Sequence, residues 1–519
     1  MSSSLALVQA RLTSIINDRN LTVKQKNQFL ALEAEGLLDY APVSQALNEA
    51  MEQGIICDMF EGNAPFKPRY VLPDYARFLS QGSEFLELAP AEELDDALNM
   101  LTILYHHVPS VTNIPVYLGQ LDELLLPFVG ALSDEQLYKK IKRFWIMLDR
   151  TLPDAFMHVN IGPTDNIVCR TILKVDAELK QIAPNLTFMH DPEVTPEDLL
   201  RIATSNICQC SKPHIANYPM HAATYGDRQF GIVSCYNSLP LAGGANTLVR
   251  LNLKEVACRA DSIAHFIETV LPSYSDLVIE LMDARTAYLH EQSGFFSGFL
   301  VQEKLIDEAR FAPMFGIYGM AEAVAILLTK EGLPGRYGWD DSANQLGVQI
   351  SKTLASLVEN RPVKHGWKQR ALLHAQGGIS LDLGVTPGAR IAYGEEPDPV
   401  SYILANAPHH AYYPSGISDI LTIDETVKSN PEAMFNLCKG ALAAGYREFT
   451  ANVASNDLIR VTGYMVKLSE IEQFAQRGSR SNTTFLAAEA AKNTAILNRR
   501  ARVISMESMP TYQSAAQSS

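Results

Sequence analysis

Between residues 105 and 460 two kinds of segment take turns along the chain. The run Thr247–Leu253, TLVRLNL, alternates in polarity as a strand does. DSIAHFIETVLPSY (261–274) and ISKTLASLVEN (350–360) repeat their apolar residues at helical spacing instead. Pieces rich in Gly and Pro, such as PLAGGAN (240–246) and GVTPGAR (384–390), punctuate them. Strands separated by long helices predict an α/β architecture. With 519 residues, 47% of them hydrophobic, the chain can bury a large core.

The two ends read differently. Residues 1–100 predict a mostly helical N-terminal region: 23–54 carries apolar residues near helical spacing, with Gly36 and Gly54 as stops, and acidic 89–108 is a second helix. The α/β body is expected over 101–475. Beyond it, 476–519 predicts a polar linker, an Ala-rich helix whose basic end suits the helix dipole, and a disordered tail.

Charge and cysteine usage exclude several function classes. A net charge of −15 argues against sequence-independent binding of a nucleic-acid polymer, which needs a basic face, but a nucleotide-sized substrate needs only a local pocket. There is no run of about 18 apolar residues, so no membrane span is expected, and the N-terminus does not read as a secretory leader. The expected location is the cytoplasm, with its seven cysteines reduced. Cys208 and Cys210 form a C-x-C, but no C-x-x-C pair offers a framework for structural zinc.

Near the C-terminus, IRVTGYMV (459–466) sets Gly463 among strand formers. A bulge or tight bend is the plain explanation. A second one is chemical. A glycine α-carbon can hold an unpaired electron, because the flanking amides share the spin and no side chain crowds the planar radical. Such a radical needs burial away from oxygen. The stretch RVTGY (460–464) resembles the C-terminal signature of glycyl radical enzymes, in which Arg-Val-x-Gly-Tyr carries the radical glycine.

That resemblance requires a cysteine partner in mid-chain. FGIVSCYNSLPLAGGANTLVRLNLKEVA (230–257) leads a strand-like run to Cys235, then a Gly-rich turn and an alternating strand. It is similar to the finger loop of anaerobic ribonucleotide reductases. A buried inert thiol is the commonest fate of a free cysteine, yet beside RVTGY the reading reverses and Cys235 becomes the thiyl candidate. Cys208 and Cys210 are rivals without the following strand. Three more stretches agree in order: PNLTFMHDPEVTPEDLL (184–200), FGIYGMAEAV (315–324) and HHAYYPSGISDI (409–420). The chain as a whole most resembles the YjjI family of glycine radical enzymes.

The resemblance implies a ten-stranded α/β barrel of two antiparallel five-stranded halves, surrounded by helices. The finger loop and the glycyl loop would meet inside it. Gly463 would store the radical and Cys235 would abstract hydrogen from a small polar substrate, a nucleotide being the form implied by the reductase branch. The radical would be a post-translational modification, with no bound cofactor or metal. It would be installed in trans by an S-adenosylmethionine-dependent iron–sulfur activating enzyme, since the chain lacks a C-x3-C-x2-C motif. A homodimer is the expected assembly.

Several departures bear on the reaction. Formate-producing relatives carry two adjacent cysteines, whereas this chain has Ser234-Cys235. Radical dehydratases place a glutamate two residues after the cysteine, where Asn237 stands here and cannot accept the proton. Glu322 and Asp191 are stand-in carboxylates, and Cys57 or Cys169 a candidate second thiol. For substrate contacts the candidates are Asn237, Asn160, His409, His410, Tyr412, Tyr413 and Ser415, the last five from one segment that matches an active-site stretch. The competing readings are an acyltransferase-type lyase, and a non-radical α/β protein that binds a ligand.

Overall fold

Ten short strands enclose the interior of this computed structural model, which describes residues 2–37, 42–59, 66–110, 116–152, 156–375, 382–417, 419–461, 465–480 and 501. In one sheet β3 (Tyr117–Gln120), β4 (His158–Ile161), β5 (Asn185–His190) and β6 (His214–Asn217) run parallel. β14 (Glu448–Val453) joins β6 antiparallel, and β13 (Ile420–Ile423) lies parallel beyond it. In the other sheet β10 (Leu248–Asn252), β11 (Met314–Tyr318) and β12 (Leu372–Ala375) are parallel, with β1 (Ile56–Asp58) antiparallel on β10. A parallel bridge from Ala375 to Ile417 links β12 to the segment entering β13. By direction the strands form two sets of five, β1 with β3–β6 and β10–β14. The expected barrel of two opposed halves is therefore present.

Helical crossovers make the parallel pairing possible. Asp134–Thr151 connects β3 to β4, Ile167–Leu179 connects β4 to β5, and Glu197–Cys210 connects β5 to β6. The first begins with a capping box, Ser133 with Gln136, and buries Leu137, Ile141, Phe144, Trp145 and Leu148 along one stripe.

Alternation along the strands separates two faces. Val159 and Ile161, Leu186 and Phe188, and Phe449, Ala451 and Val453 belong to the main apolar core. Their neighbours His158 and Asn160, Asn185 and Thr187, and Glu448, Thr450 and Asn452 must point the other way, and all are buried. The barrel thus has an apolar outside under its helices and a polar, water-poor inside.

Two hairpins and one long-range strand pair complete the interior. β2 (Tyr70–Leu72) pairs with β9 (Gly243–Ala245), β7 (Phe230–Val233) with β8 (Asn237–Pro240), and β15 (Leu458–Arg460) with β16 (Met465–Lys467). The N-terminal region is helical over Ser2–Asn17, Val23–Glu35 and Gln45–Glu52. It also supplies β1 to the barrel sheet, so the sheet begins before residue 101. Three residues are too few to display a period. The helix expected after 484 lies outside the described residues.

Candidate active site

The finger is the β7–β8 hairpin. Val233 pairs with Asn237, which leaves Ser234, Cys235 and Tyr236 as the tip. Ser234 and Tyr236 have φ of 50° and 68°, a conformation that side-chain-bearing residues hold only when their surroundings impose it. Those surroundings can be named. Asn160 on β4 acts as a peptide mimic: its amide nitrogen donates to the Ile232 carbonyl and its amide oxygen accepts from the Ile232 N–H, both at 2.8 Å. Tyr70 donates its hydroxyl to Ser234 Oγ at 3.2 Å. Asn237 donates to the Val233 carbonyl at 3.2 Å.

A buried chain of hydrogen bonds fixes the tip from below. Burial pushes His158 down to about 3, so its ring is neutral at neutral pH. Its Nδ1–H donates to the Ser234 carbonyl at 3.0 Å, and Nε2 therefore accepts from the Thr187 hydroxyl. With its one proton used, Thr187 Oγ1 accepts from His214 Nδ1 at 2.8 Å. The His214 ring lies 4.1 Å from that of Tyr236.

Ser415, a sequence-predicted residue, supports the next strand residue. Its hydroxyl donates to the Ser238 carbonyl at 3.1 Å, and its carbonyl accepts from the Ser238 N–H. Gly416 follows with φ +108°, and a Cβ there would lie 2.1 Å from the Tyr236 carbonyl oxygen. Only glycine lets the two chains approach this closely.

The second hairpin brings the C-terminal motif to the finger. Gly463 lies outside the described residues, but its flanks are in place: Arg460 pairs with Met465 in the β15–β16 ladder. Leu458, Ile459, Val461, Met465 and Val466 share one buried apolar cluster with Cys235, Cys210 and Ile182. Arg460 is fully buried. It donates to the Tyr236 hydroxyl at 2.5 Å, to Asn185 Oδ1 at 2.9 Å and to the Ser211 carbonyl at 2.8 Å. Asn452 clamps its backbone through the Arg460 N–H and carbonyl, at 2.8 and 2.9 Å.

The remaining predicted residues divide. His409 is held by Ser351 at 2.8 Å and Tyr337 at 3.1 Å, and Tyr413 also meets Ser351. These contacts tie the 407–413 turn to the helix Asp341–Glu359. His410 accepts from the Arg447 N–H and stacks on Tyr446. Tyr412 is half-buried against the core. Glu322 accepts from the Thr386 N–H and hydroxyl, and Asp191 accepts from the Glu193 N–H in a local turn. Cys208 and Cys210 donate to helix carbonyls, and burial pushes Cys210 up to about 12. Cys57 accepts from Arg250 at 3.2 Å, and burial pushes Cys169 upward. A cavity of about 520 Å³ opens at the root of the finger beside Phe230, Tyr117 and Gln120, and none of the predicted site residues lines it. Among the described residues no group of three or more His, Cys, Asp or Glu could hold a metal ion.

Comparison with known proteins gives the family and the fold. Residues 21–502 match the profile of the family described as glycyl radical enzyme YjjI-like. The chain belongs to the YjjI-like glycyl radical enzyme family. It is 60% identical over 501 residues to the protein YjjI of Escherichia coli (strain K12), covering 96% of this chain and 97% of that one. A relative from Haemophilus influenzae is 38% identical over 468 residues, covering 88% and 90%. Among solved structures, hydroxyproline dehydratase from Clostridioides difficile with trans-4-hydroxy-L-proline bound is similar at a TM-score of 0.67 and 14% identity, over 92% of this chain and 84% of that one. The anaerobic ribonucleotide reductase from Thermotoga maritima, in complex with dATP and CTP, is similar at 0.65 and 12% identity, over 91% and 93%. At such identities the likeness is one of fold. The YjjI-like chain is thus an enzyme of the glycyl radical class.

Sequence reasoning reached the finger and the C-terminal motif. It missed Tyr236 and Asn452. Tyr236 stands at the hairpin tip, outside any strand period, and Asn452 alternates with apolar residues along β14, which reads as a solvent-facing position.

Proposed function

We propose that Gly463 stores the radical and that Cys235 is the hydrogen abstractor. The Gly463 α-carbon radical takes hydrogen from Cys235 Sγ, forming a C–H bond and leaving a thiyl radical. The thiyl takes hydrogen from a substrate C–H, the product radical takes hydrogen back from the thiol, and the thiyl formed again recovers hydrogen from the Gly463 α-carbon, which restores the stored radical. The observation that carries this reading is the contact between the two hairpins. Arg460 bonds Tyr236, and the strands on either side of Gly463 pack in the same dry cluster as Cys235.

The partner in this reading is an S-adenosylmethionine-dependent iron–sulfur activating enzyme, and the substrate is a small polar molecule. Fully buried Asn237 and Thr450 each present an oxygen with no hydrogen-bond partner among the described residues, which supports a polar guest. Asn237 in place of a finger glutamate moves any proton chemistry elsewhere.

Anaerobic co-expression with such an activating enzyme tests the proposal. Cys235→Ala should keep the radical signal in electron paramagnetic resonance and lose all metabolite conversion seen with the native protein. A Cys235→Ala protein that converts the same metabolites would overturn it.

A further inference from the structure

The cavity of about 520 Å³ stands at the root of the finger, with Phe230 and Leu241 in its wall, whereas Cys235 is at the tip. Its floor comes from the carboxyl ends of parallel strands. Gln120 ends β3, Gly162 and Pro163 follow β4, Met189 is next to last in β5, and Tyr218 follows β6. In α/β folds the loops at the carboxyl ends of parallel strands carry the ligand sites. The volume is also that of a small-molecule site.

Aromatic rings dominate the walls. Tyr75 and Tyr117 pair with centroids 5.9 Å apart, Tyr218 and Phe230 pair at 5.5 Å, and Phe128 adds a fifth ring. A planar ring placed among them gains stacked or edge-on contacts beyond the area it buries.

The polar groups define what head that ring carries. Tyr75 donates its hydroxyl to the Tyr117 carbonyl at 2.6 Å, and Tyr218 donates to Asp227. The Tyr117 hydroxyl has no hydrogen-bond partner among the described residues, although Tyr117 is only 2% exposed. Burial, and then the Glu123 and Asp74 carboxylates, push this hydroxyl upward, so it keeps its proton and can donate. At the rim Arg228 is taken by Glu123 at 2.8 Å, and Asp74 accepts from the Arg77 N–H at 2.9 Å. Two carboxylates, Asp74 and Glu123, against the one guanidinium of Arg228 leave the lining acidic, with acceptors in excess. An anionic head is repelled there. A carboxamide is uncharged, accepts from Tyr117 through its carbonyl and offers its N–H groups to the rim.

The occupant also reaches the finger. The Tyr117 ring packs so closely on Gly231 of β7 that a Cβ on that glycine would lie 2.7 Å from it. A guest bonded to the Tyr117 hydroxyl therefore braces the ring on which the finger leans.

We propose that this cavity is a ligand site separate from the radical chamber, and that it takes an uncharged aromatic carboxamide held by Tyr117 and the acidic rim. The proposal does not depend on the radical relay.

Benzamide is the probe, on unactivated full-length protein, with benzoate as its anionic isostere and cyclohexanecarboxamide as its non-aromatic one. Calorimetry should show saturable binding of benzamide, about tenfold weaker binding of benzoate and several-fold weaker binding of cyclohexanecarboxamide. Tyr117→Phe should weaken benzamide about tenfold, as the loss of one buried hydrogen bond implies. Ala76→Trp, at an exposed position of the cavity lining, should fill the mouth and abolish binding. Benzamide should slow amide hydrogen exchange across residues 229–241 of the native protein and not of Ala76→Trp. The inference is overturned if benzamide does not saturate the native protein, if benzoate binds as well, or if Ala76→Trp binds benzamide as the native protein does. Should Tyr117→Phe fail to fold, the exposed Ala76→Trp variant and the benzoate comparison decide. Because no radical is involved, a native protein that never acquires one overturns the proposed relay and leaves this result standing.

Discussion

Arg460, three residues before Gly463, donates a 2.5 Å hydrogen bond to the hydroxyl of Tyr236, the residue after Cys235. The bond joins two hairpins that are 224 residues apart in sequence. It lies in a dry interior, where a guanidinium that loses one partner is left with an uncompensated donor. Tyr236→Phe should therefore cost about 1–3 kcal/mol in urea unfolding, the penalty for leaving such a group unsatisfied. It should also lower the radical yield on activation, because the finger is no longer tied to the C-terminal hairpin.

Gly416 provides a sharper test of the same geometry. Gly416→Ala places a methyl group against the Tyr236 carbonyl in a left-handed backbone conformation. The expected outcome is a loss of about 1–3 kcal/mol from strain, plus displacement of the finger. Turnover by the activated enzyme should fall more than tenfold even where the variant is folded at the assay temperature. Unchanged turnover would show that the close approach of Gly416 to the finger is not needed.

The buried histidines set the acid limit of stability. His158 is pushed down to about 3 and His409 to about 4, against 6.5 in the unfolded chain. As pH falls below about 6.5 the unfolded chain takes up protons that the folded chain refuses. Stability is fully present above that value and is lost as pH drops toward 3–4, by about 1.4 kcal/mol per pH unit for each such histidine. Urea midpoints measured between pH 7 and pH 4 should fall, and His409→Phe should flatten the fall.

Glu448 acts in the opposite sense. Its folded value is raised, so the folded chain keeps a proton that the unfolded chain releases above about 4.5. Its contribution is present below that pH and is lost as pH rises through the folded value. Glu448→Gln should therefore gain stability over the native protein at pH 9 relative to pH 5, as read by thermal unfolding. No change in that difference would mean that the carboxyl is ionised in the fold.

Much of this site was legible in the sequence because its two signatures are local. A finger such as FGIVSCYNSLP and a motif such as RVTGY each hold their chemistry within a few residues. Strands separated by helices pointed only to an α/β chain, and the barrel was what the family resemblance implied. The inner face was not legible. Glu448, Thr450 and Asn452 alternate with Phe449, Ala451 and Val453, which reads as an ordinary half-exposed strand, yet all six are buried. Polar alternation cannot distinguish water from an enclosed chamber. Nor could local sequence show that the 407–413 turn faces a helix through Ser351, as His409 and Tyr413 do. That contact depends on a residue 58 positions from His409.

The most direct test of the central claim is electron paramagnetic resonance on protein activated anaerobically after growth on ordinary or α-deuterated glycine. The account predicts a doublet from one α-hydrogen that collapses to a singlet with the deuterated amino acid, is absent in Gly463→Ala, and on exposure to air gives way to chain cleavage at Gly463. An activated native protein with no such signal, or one whose signal persists in Gly463→Ala, would contradict it.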